Sequence, residues 1–142
     1  MCDKKYQLVS LKKMGDSRGE MCVIEGQKQV PFAIARIFYD YHNAPGDVES
    51  RGNHANRNSQ FAFVCVAGSC VVSVDDGVNQ DTYTLSDPTQ MLVVDKMVWK
   101  EMSGFSPDSV LLVLSSHVYD QNEYIRDYAE FRAAVNAAEE ER

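Results

Sequence analysis

Between His42 and Gln60 the chain runs HNAPGDVESRGNHANRNSQ, a polar stretch that collects imidazole, guanidinium and amide groups just ahead of an apolar run beginning at Phe61. A neutral imidazole suits general-base chemistry, because its unperturbed pKa of about 6.5 lies close to working pH. If this stretch enters a β-strand, the period-two alternation of side chains puts His54, Asn56 and Asn58 on one face. The same residue types also suit a solvated loop capping the mouth of a fold, and residues alone leave both readings open.

Other chemistries find less support. A metal site on a β-framework calls for a His-x-His pair, a carboxylate and a further histidine on a neighbouring strand. Here Asn56 stands at the second position, Gln60 where an acid would serve, and the later Val98-Trp99-Lys100-Glu101 segment brings no histidine. Amide oxygens are poor ligands for zinc or iron, so neither a metal nor any other cofactor is expected. There is no Gly-x-Ser-x-Gly elbow, phosphate-binding glycine loop or dinucleotide fingerprint.

The elements that must position His54 read as short strands. Apolar runs MCVIE, FAIARIFYDY, FAFVCVAG, CVVSVDDG, DTYTL and MLVV are separated by Gly, Pro, Asn and Asp. That pattern predicts eight to ten antiparallel strands of a sandwich or barrel. Ala67-Gly68-Ser69 is expected to turn one hairpin and Asp75-Asp76-Gly77 a second, with Ser106-Pro107-Asp108 turning into the strand from Val110 to Leu114. From Asp120 onward Tyr124, Tyr128 and Phe131 fall near helical spacing, and the alanine-rich end completes a predicted terminal helix.

At 142 residues the chain has the size of a single domain, 1–142, and no internal repeat divides it. Its formal net charge of −7 disfavours nucleic acid or an anionic membrane as partner, since both attract basic surface. No run approaches the roughly 20 apolar residues of a membrane span, and the first residues lack a signal-peptide core, so a cytoplasmic protein is expected. Cys2, Cys22, Cys65 and Cys70 have no zinc-ribbon spacing and are expected as buried, reduced thiols.

Five segments taken in order carry a resemblance over nearly the whole chain: Asp16 to Tyr39, Ser50 to Gln60, Val74 to Gly77, Val98 to Met102, and Phe105 to Phe131 with its Tyr-Asp-x-x-x-Tyr-Ile-Arg-Asp-Tyr piece. They resemble the sugar 3,4-ketoisomerases of the WxcM-like cupin family. The resemblance implies an all-β, single-domain cupin, a jelly-roll β-barrel with a short C-terminal helix, acting as a metal-free homodimer. It implies as substrate a dTDP-linked 4-keto-6-deoxyhexose whose carbonyl moves from C4 to C3 through an enediol, feeding 3-amino-sugar synthesis for O-antigen or S-layer glycans. The family's Arg-Gly-x-His-Ala-His motif is matched by Arg51-Gly52-Asn53-His54-Ala55-Asn56, with the last histidine replaced.

Under that resemblance His54 is the catalytic base, and Asn56 holds sugar oxygens without titrating. A diphosphate on an acidic protein requires local cations, for which Arg18, Arg36, Arg51 and Arg57 are the candidates. Tyr39 and Trp99 are expected to stack on the base or sugar, Gln60 to bind the sugar, and Glu101 to orient His54 or an enediol hydroxyl. His42 and His117 have no assigned part. Three other outcomes stay open: a catalytically silent nucleotide-sugar-binding cupin serving as a partner subunit, an otherwise active enzyme in which Asn56 was engineered to trap a ligand, and a related chemistry such as 3,5-epimerisation or isomerisation of another nucleotide sugar.

Overall fold

The computed structural model describes residues 4–42 and 50–140; the first part of the polar segment, residues 43–49, and Cys2 lie outside the described residues. Their chain order is β1 (Tyr6–Ser10), β2 (Met14–Asp16), β3 (Gly19–Met21), β4 (Arg36–Asp40), β5 (Arg51–Asn56), β6 (Phe61–Ala67), β7 (Cys70–Asp75), β8 (Gln80–Leu85), β9 (Gln90–Val94), β10 (Trp99–Ser103), β11 (Val110–Ser115), β12 (Tyr124–Ile125) and the helix α1 (Tyr128–Glu140). Two five-stranded antiparallel sheets result, in the orders β1-β9-β6-β11-β4 and β12-β5-β10-β7-β8, with β2-β3 as a separate hairpin. No helix among the described residues is long and apolar enough to cross a membrane.

The alternation of side chains along the strands builds three apolar layers. Phe61, Phe63, Cys65, Leu92 and Val113 from the first sheet meet Cys70, Val72, Val74, Leu85 and Met102 from the second, forming the core between them. The opposite side of β6, Ala62 and Val64, is covered by Val30 and Phe32. Outside the second sheet, Ala55, Trp99 and Ile125 pack against Phe131 and Val135 of α1. This is the jelly-roll arrangement with one terminal helix that the resemblance implied.

Four local expectations need correction. Phe61–Ala67 and Cys70–Asp75 do not form a hairpin, because β6 is already flanked by β9 and β11 in the first sheet while β7 lies between β10 and β8 in the second. Gly68-Ser69 is instead a corner between sheets, tied down by Ser69 N donating to Ser106 Oγ (2.9 Å) and Ser106 N donating to Ser69 O (2.9 Å). The run MCVIE enters a strand only at Met21; Cys22 and Ile24 lie in irregular chain that packs over the back of β6, so their apolar character reflects burial rather than a ladder. FAIARIFYDY becomes strand only from Arg36.

The fourth concerns Tyr124, which lies in β12 opposite Asn56 rather than in the helix, and α1 starts at Tyr128. The Asp75-Asp76-Gly77 turn does close the β7-β8 hairpin, with Asp76 N donating to Asn79 O (3.1 Å). Cys65 and Cys70 are buried free thiols, and Cys22 is free but only half-buried.

Candidate active site

β5 carries the Arg-Gly-Asn-His-Ala-Asn sequence, and its register against β10 explains the glycine. Lys100 pairs with His54 and Glu101 with Gly52, so β5 bulges by one residue at Asn53. Gly52 (φ +84°) and Asn53 (φ +55°) both occupy the left-handed region. A Cβ on Gly52 would also stand 3.0 Å from the Lys100 carbonyl oxygen, so the bulge needs glycine for conformation and for space. Beyond the bulge, Ala55 faces α1 while His54 lines a cavity of about 320 Å³ on the other face, the cavity that Arg36, Asp40, Phe61, Lys100, Met102 and Tyr124 also line.

His54 Nδ1 is 3.0 Å from the Gly52 carbonyl oxygen. A carbonyl only accepts, so Nδ1 carries the hydrogen and Nε2 is left with its lone pair free. Burial first, and then the positive charge of Lys100, push the His54 pKa down to about 4. The ring is therefore neutral at pH 7, and Tyr124 packs on it at 4.8 Å between centroids. A half-buried, neutral imidazole with a fixed tautomer is the form in which a histidine removes a proton.

Asn56 is 1% exposed and its Oδ1 accepts from Lys100 Nζ (3.1 Å). Asn58, expected on the same face, is not there. The strand ends at Asn56, and the next turn wraps around the buried carboxylate of Glu123, which accepts from Asn58 N (2.9 Å), Ser59 N (2.8 Å) and Ser59 Oγ. Burial alone would raise the Glu123 pKa, but those hydrogen bonds hold it below the usual carboxylate value.

Arg36 supplies a cationic wall. Its guanidinium carbon sits 5.2 Å from the Phe38 ring centre and 5.6 Å from that of Tyr119, and its buried Nε and Nη2 have no hydrogen-bond partner. Unpaired buried donors on a permanent cation are costly unless an anion completes them. Arg51 lies at the same cavity and donates to Asp40 Oδ1 (2.9 Å).

The other predicted residues are not brought to His54. Arg18, its side chain 88% exposed, pairs with Asp16 at 2.6 Å on the β2-β3 hairpin. Arg57 follows β5 and reaches Glu130 of α1 at 3.5 Å. Tyr39 points outward from β4, 60% exposed. Gln60 lies beside Phe61 but lines a different hollow, with Tyr6, Pro31 and Val93.

Trp99 and Glu101 occupy the outer face of β10, because Lys100 and Met102 take the inner one. Trp99 packs on Tyr128 and Phe131 and donates to Glu101 Oε2 (3.2 Å), so Glu101 is turned away from His54. Both line a larger outer cleft of about 750 Å³ with Asn53, Asp75 and Tyr128. That cleft is the more spacious, but the neutral histidine, the unpaired arginine donors and the buried lysine converge on the smaller cavity, which is the better candidate for chemistry.

Sequence reasoning missed Lys100, Glu123, Tyr119 and Tyr124. Lys100 is 1% exposed, and its cost was hidden because a lysine in the polar-apolar alternation Val-Trp-Lys-Glu-Met reads equally well as the solvent side. The paired tyrosines were visible only as part of the Tyr-Asp-x-x-x-Tyr piece. Among the described residues no group of three His, Cys, Asp or Glu side chains is placed to hold a metal ion.

The family model described as "FdtA: WxcM-like, C-terminal" matches residues 4–136. The chain is 40% identical over 129 residues to the TDP-4-oxo-6-deoxy-alpha-D-glucose-3,4-oxoisomerase of Aneurinibacillus thermoaerophilus, covering 91% of each chain. It is similar to the crystal structure of a 3,4-ketoisomerase from Helicobacter canadensis, with a TM-score of 0.89 at 38% identity, covering 94% of this chain and 98% of that one. A sugar 3,4-ketoisomerase from Thermoanaerobacterium thermosaccharolyticum in complex with TDP matches with a TM-score of 0.89 at 29% identity, covering 96% of this chain and 98% of the other.

Proposed function

The chain belongs to the WxcM-like, C-terminal family, and from that premise we propose that it is a sugar-nucleotide 3,4-ketoisomerase acting on a TDP-linked 4-keto-6-deoxyhexose. The observation that carries the reading is the neutral, tautomer-locked His54 facing a cavity that also holds the unpaired donors of Arg36. His54 Nε2 removes the C3 proton, which the adjacent C4 ketone acidifies, and returns a proton at C4 of the enediol. Arg36 and Arg51 face the diphosphate, offsetting a chain whose formal net charge is −7. Tyr119 and Tyr124 supply aromatic surface for the sugar or base.

Of the remaining candidate residues, Asn56 acts through its contact with Lys100 and as a positioner of sugar oxygens, while Arg18, Arg57, Tyr39, Gln60, Trp99 and Glu101 stay outside the proton-transfer centre. The enzyme acts as one domain, in the cytoplasm, and supplies a 3-keto sugar for amination on the way to cell-surface glycans. Two copies associate: β4 is a sheet edge, and Ile37 and Tyr39 on it are 59% and 60% exposed. Sedimentation showing only monomer at every concentration removes that last point.

The deciding experiment is proton NMR of the protein with TDP-4-keto-6-deoxyglucose in D₂O. Conversion to the 3-keto sugar, with deuterium entering the ring, is expected for the wild type and not for His54→Ala. Substrate that binds the wild type but neither converts nor exchanges overturns the proposal.

A further inference from the structure

Moving a carbonyl to the neighbouring carbon transfers more than the proton on carbon. O4 must gain a proton as the C4 carbonyl becomes an enol, and O3 must lose one as the C3 carbonyl forms. Asn56 has no titrating group for this, and His54 is occupied at carbon. On the strand paired with β5, the structure puts a further proton carrier, Lys100, on the same inner face.

Lys100 stands directly opposite His54 in the β5-β10 ladder, and both side chains line the same cavity. Its Nζ donates to Asn56 Oδ1 (3.1 Å) and to the Val98 carbonyl (3.1 Å), and lies 4.9 Å from the Phe61 ring centre. An ammonium has three donors, so two anchored hydrogens leave a third. The Asn56 amide thus fits this chain: it orients the lysine without contending for its proton.

We propose that Lys100 is the second proton-transfer group of the site, carrying a proton between the two sugar oxygens while His54 carries the one on carbon. This rests on the ketoisomerase reading above. In the first half, the C3–H bond breaks toward His54 Nε2, its electron pair forms the C3=C4 double bond, and O4 takes a proton from the Lys100 ammonium. In the second half, the Lys100 amine takes the O3 proton, the C3=O bond forms, and the double-bond electrons take the proton from His54 at C4. C3 is oxidised and C4 reduced within one molecule, and both side chains return to their starting states.

A group that must both give and accept needs a pKa near working pH. Burial, opposed by the charge of Glu123, brings Lys100 down to about 7. The charged and titrating groups around it are His54 and Arg51 on β5, Glu123 behind Asn56, Tyr124 on β12 with Arg126 after it, Tyr119, and Arg36 and Asp40 on β4 across the cavity. The flanking β7 pairs Val74 with Lys100, and the facing β6 offers Phe61 and Phe63, so neither brings a charge.

The test is steady-state turnover of TDP-4-keto-6-deoxyglucose by wild type, Lys100→Met and Lys100→Ala, with circular dichroism to establish folding. For Lys100→Met, kcat is expected to fall about 10²–10⁴-fold with KM changed less than about threefold. The limb of the wild-type kcat–pH profile near neutrality is expected to vanish, and added ethylamine to restore part of the activity of Lys100→Ala. A folded Lys100→Met with kcat within about threefold of wild type and an unchanged pH profile overturns the proposal while leaving the ketoisomerase reading intact. A loss of kcat with the same pH limb and no amine rescue assigns Lys100 a structural part and also overturns it. A wild type without turnover overturns both.

Discussion

Replacing Lys100 by methionine should make the protein more stable near neutral pH and less so, relative to wild type, as the pH rises. The unfolded chain holds the lysine proton up to about pH 10.5, whereas burial in the folded state brings its pKa down to about 7. Wherever the unfolded state binds more protons, stability rises with pH, so this lysine withdraws stability progressively as the pH falls from about 10.5 toward 7. At pH 7 the wild type carries a penalty on the order of 4 kcal/mol, and at pH 9.5 roughly 1 kcal/mol, a change of about 3 kcal/mol across that window.

Methionine has a similar length and no proton, so the penalty disappears in the variant; Asn56 Oδ1 and the Val98 carbonyl, which lose their lysine donor, add a cost that does not vary with pH. Urea titrations of both proteins at several pH values between 7 and 9.5, read through the fluorescence of Trp99, the single tryptophan, measure the gap directly. The titrations of the tyrosines and of the raised thiols Cys65 and Cys70 are common to both proteins and cancel in the difference. A stability gap that is constant with pH would refute the reasoning, because it would mean that Lys100 keeps an ordinary pKa in the folded state.

Three further outcomes are expected. Arg36→Gln should weaken TDP binding by isothermal calorimetry about 10- to 100-fold, the value of roughly 1.5–3 kcal/mol for hydrogen bonds to a charged group; unchanged affinity would remove Arg36 from the anion site. Gly52→Ala should cost roughly 1–2 kcal/mol for a side chain at positive φ, and it should lower turnover as well, since the new Cβ presses on the Lys100 carbonyl at 3.0 Å. Trp99→Ala should destabilise by about 3–5 kcal/mol through the lost packing against Tyr128 and Phe131, yet leave TDP affinity within about threefold; a selective loss of affinity would put Trp99 back in the binding site.

Much of the fold follows from local rules. Strands rich in Val, Phe and Tyr, the Asp-Asp-Gly hairpin and the alanine-rich helix each arise from short-range preferences that the chain shows residue by residue. The Ala67-Gly68-Ser69 turn did not, because a glycine turn looks alike whether it joins neighbours in one sheet or carries the chain between two. What separates the cases is that β6 takes β9 and β11 as its partners, both of them later in the chain.

The site divides in the same way. Arg51, Gly52, His54 and Asn56 were legible as a motif, and alternation alone put His54 and Asn56 on one face, because that periodicity is a property of any strand. Which side of β10 faces inward was not legible: Trp99 and Glu101 or Lys100 and Met102 satisfy the alternation equally. A long-range choice settled it, since α1 packs Trp99 under Phe131 on the outside and so commits Lys100 to the interior opposite His54. The sequence by itself therefore determined most of the strands and the motif with its histidine, whereas the burial of a lysine beside that histidine, and with it the lowered pKa, came only from the tertiary structure, because desolvation depends on every element packed around a group and on no local pattern.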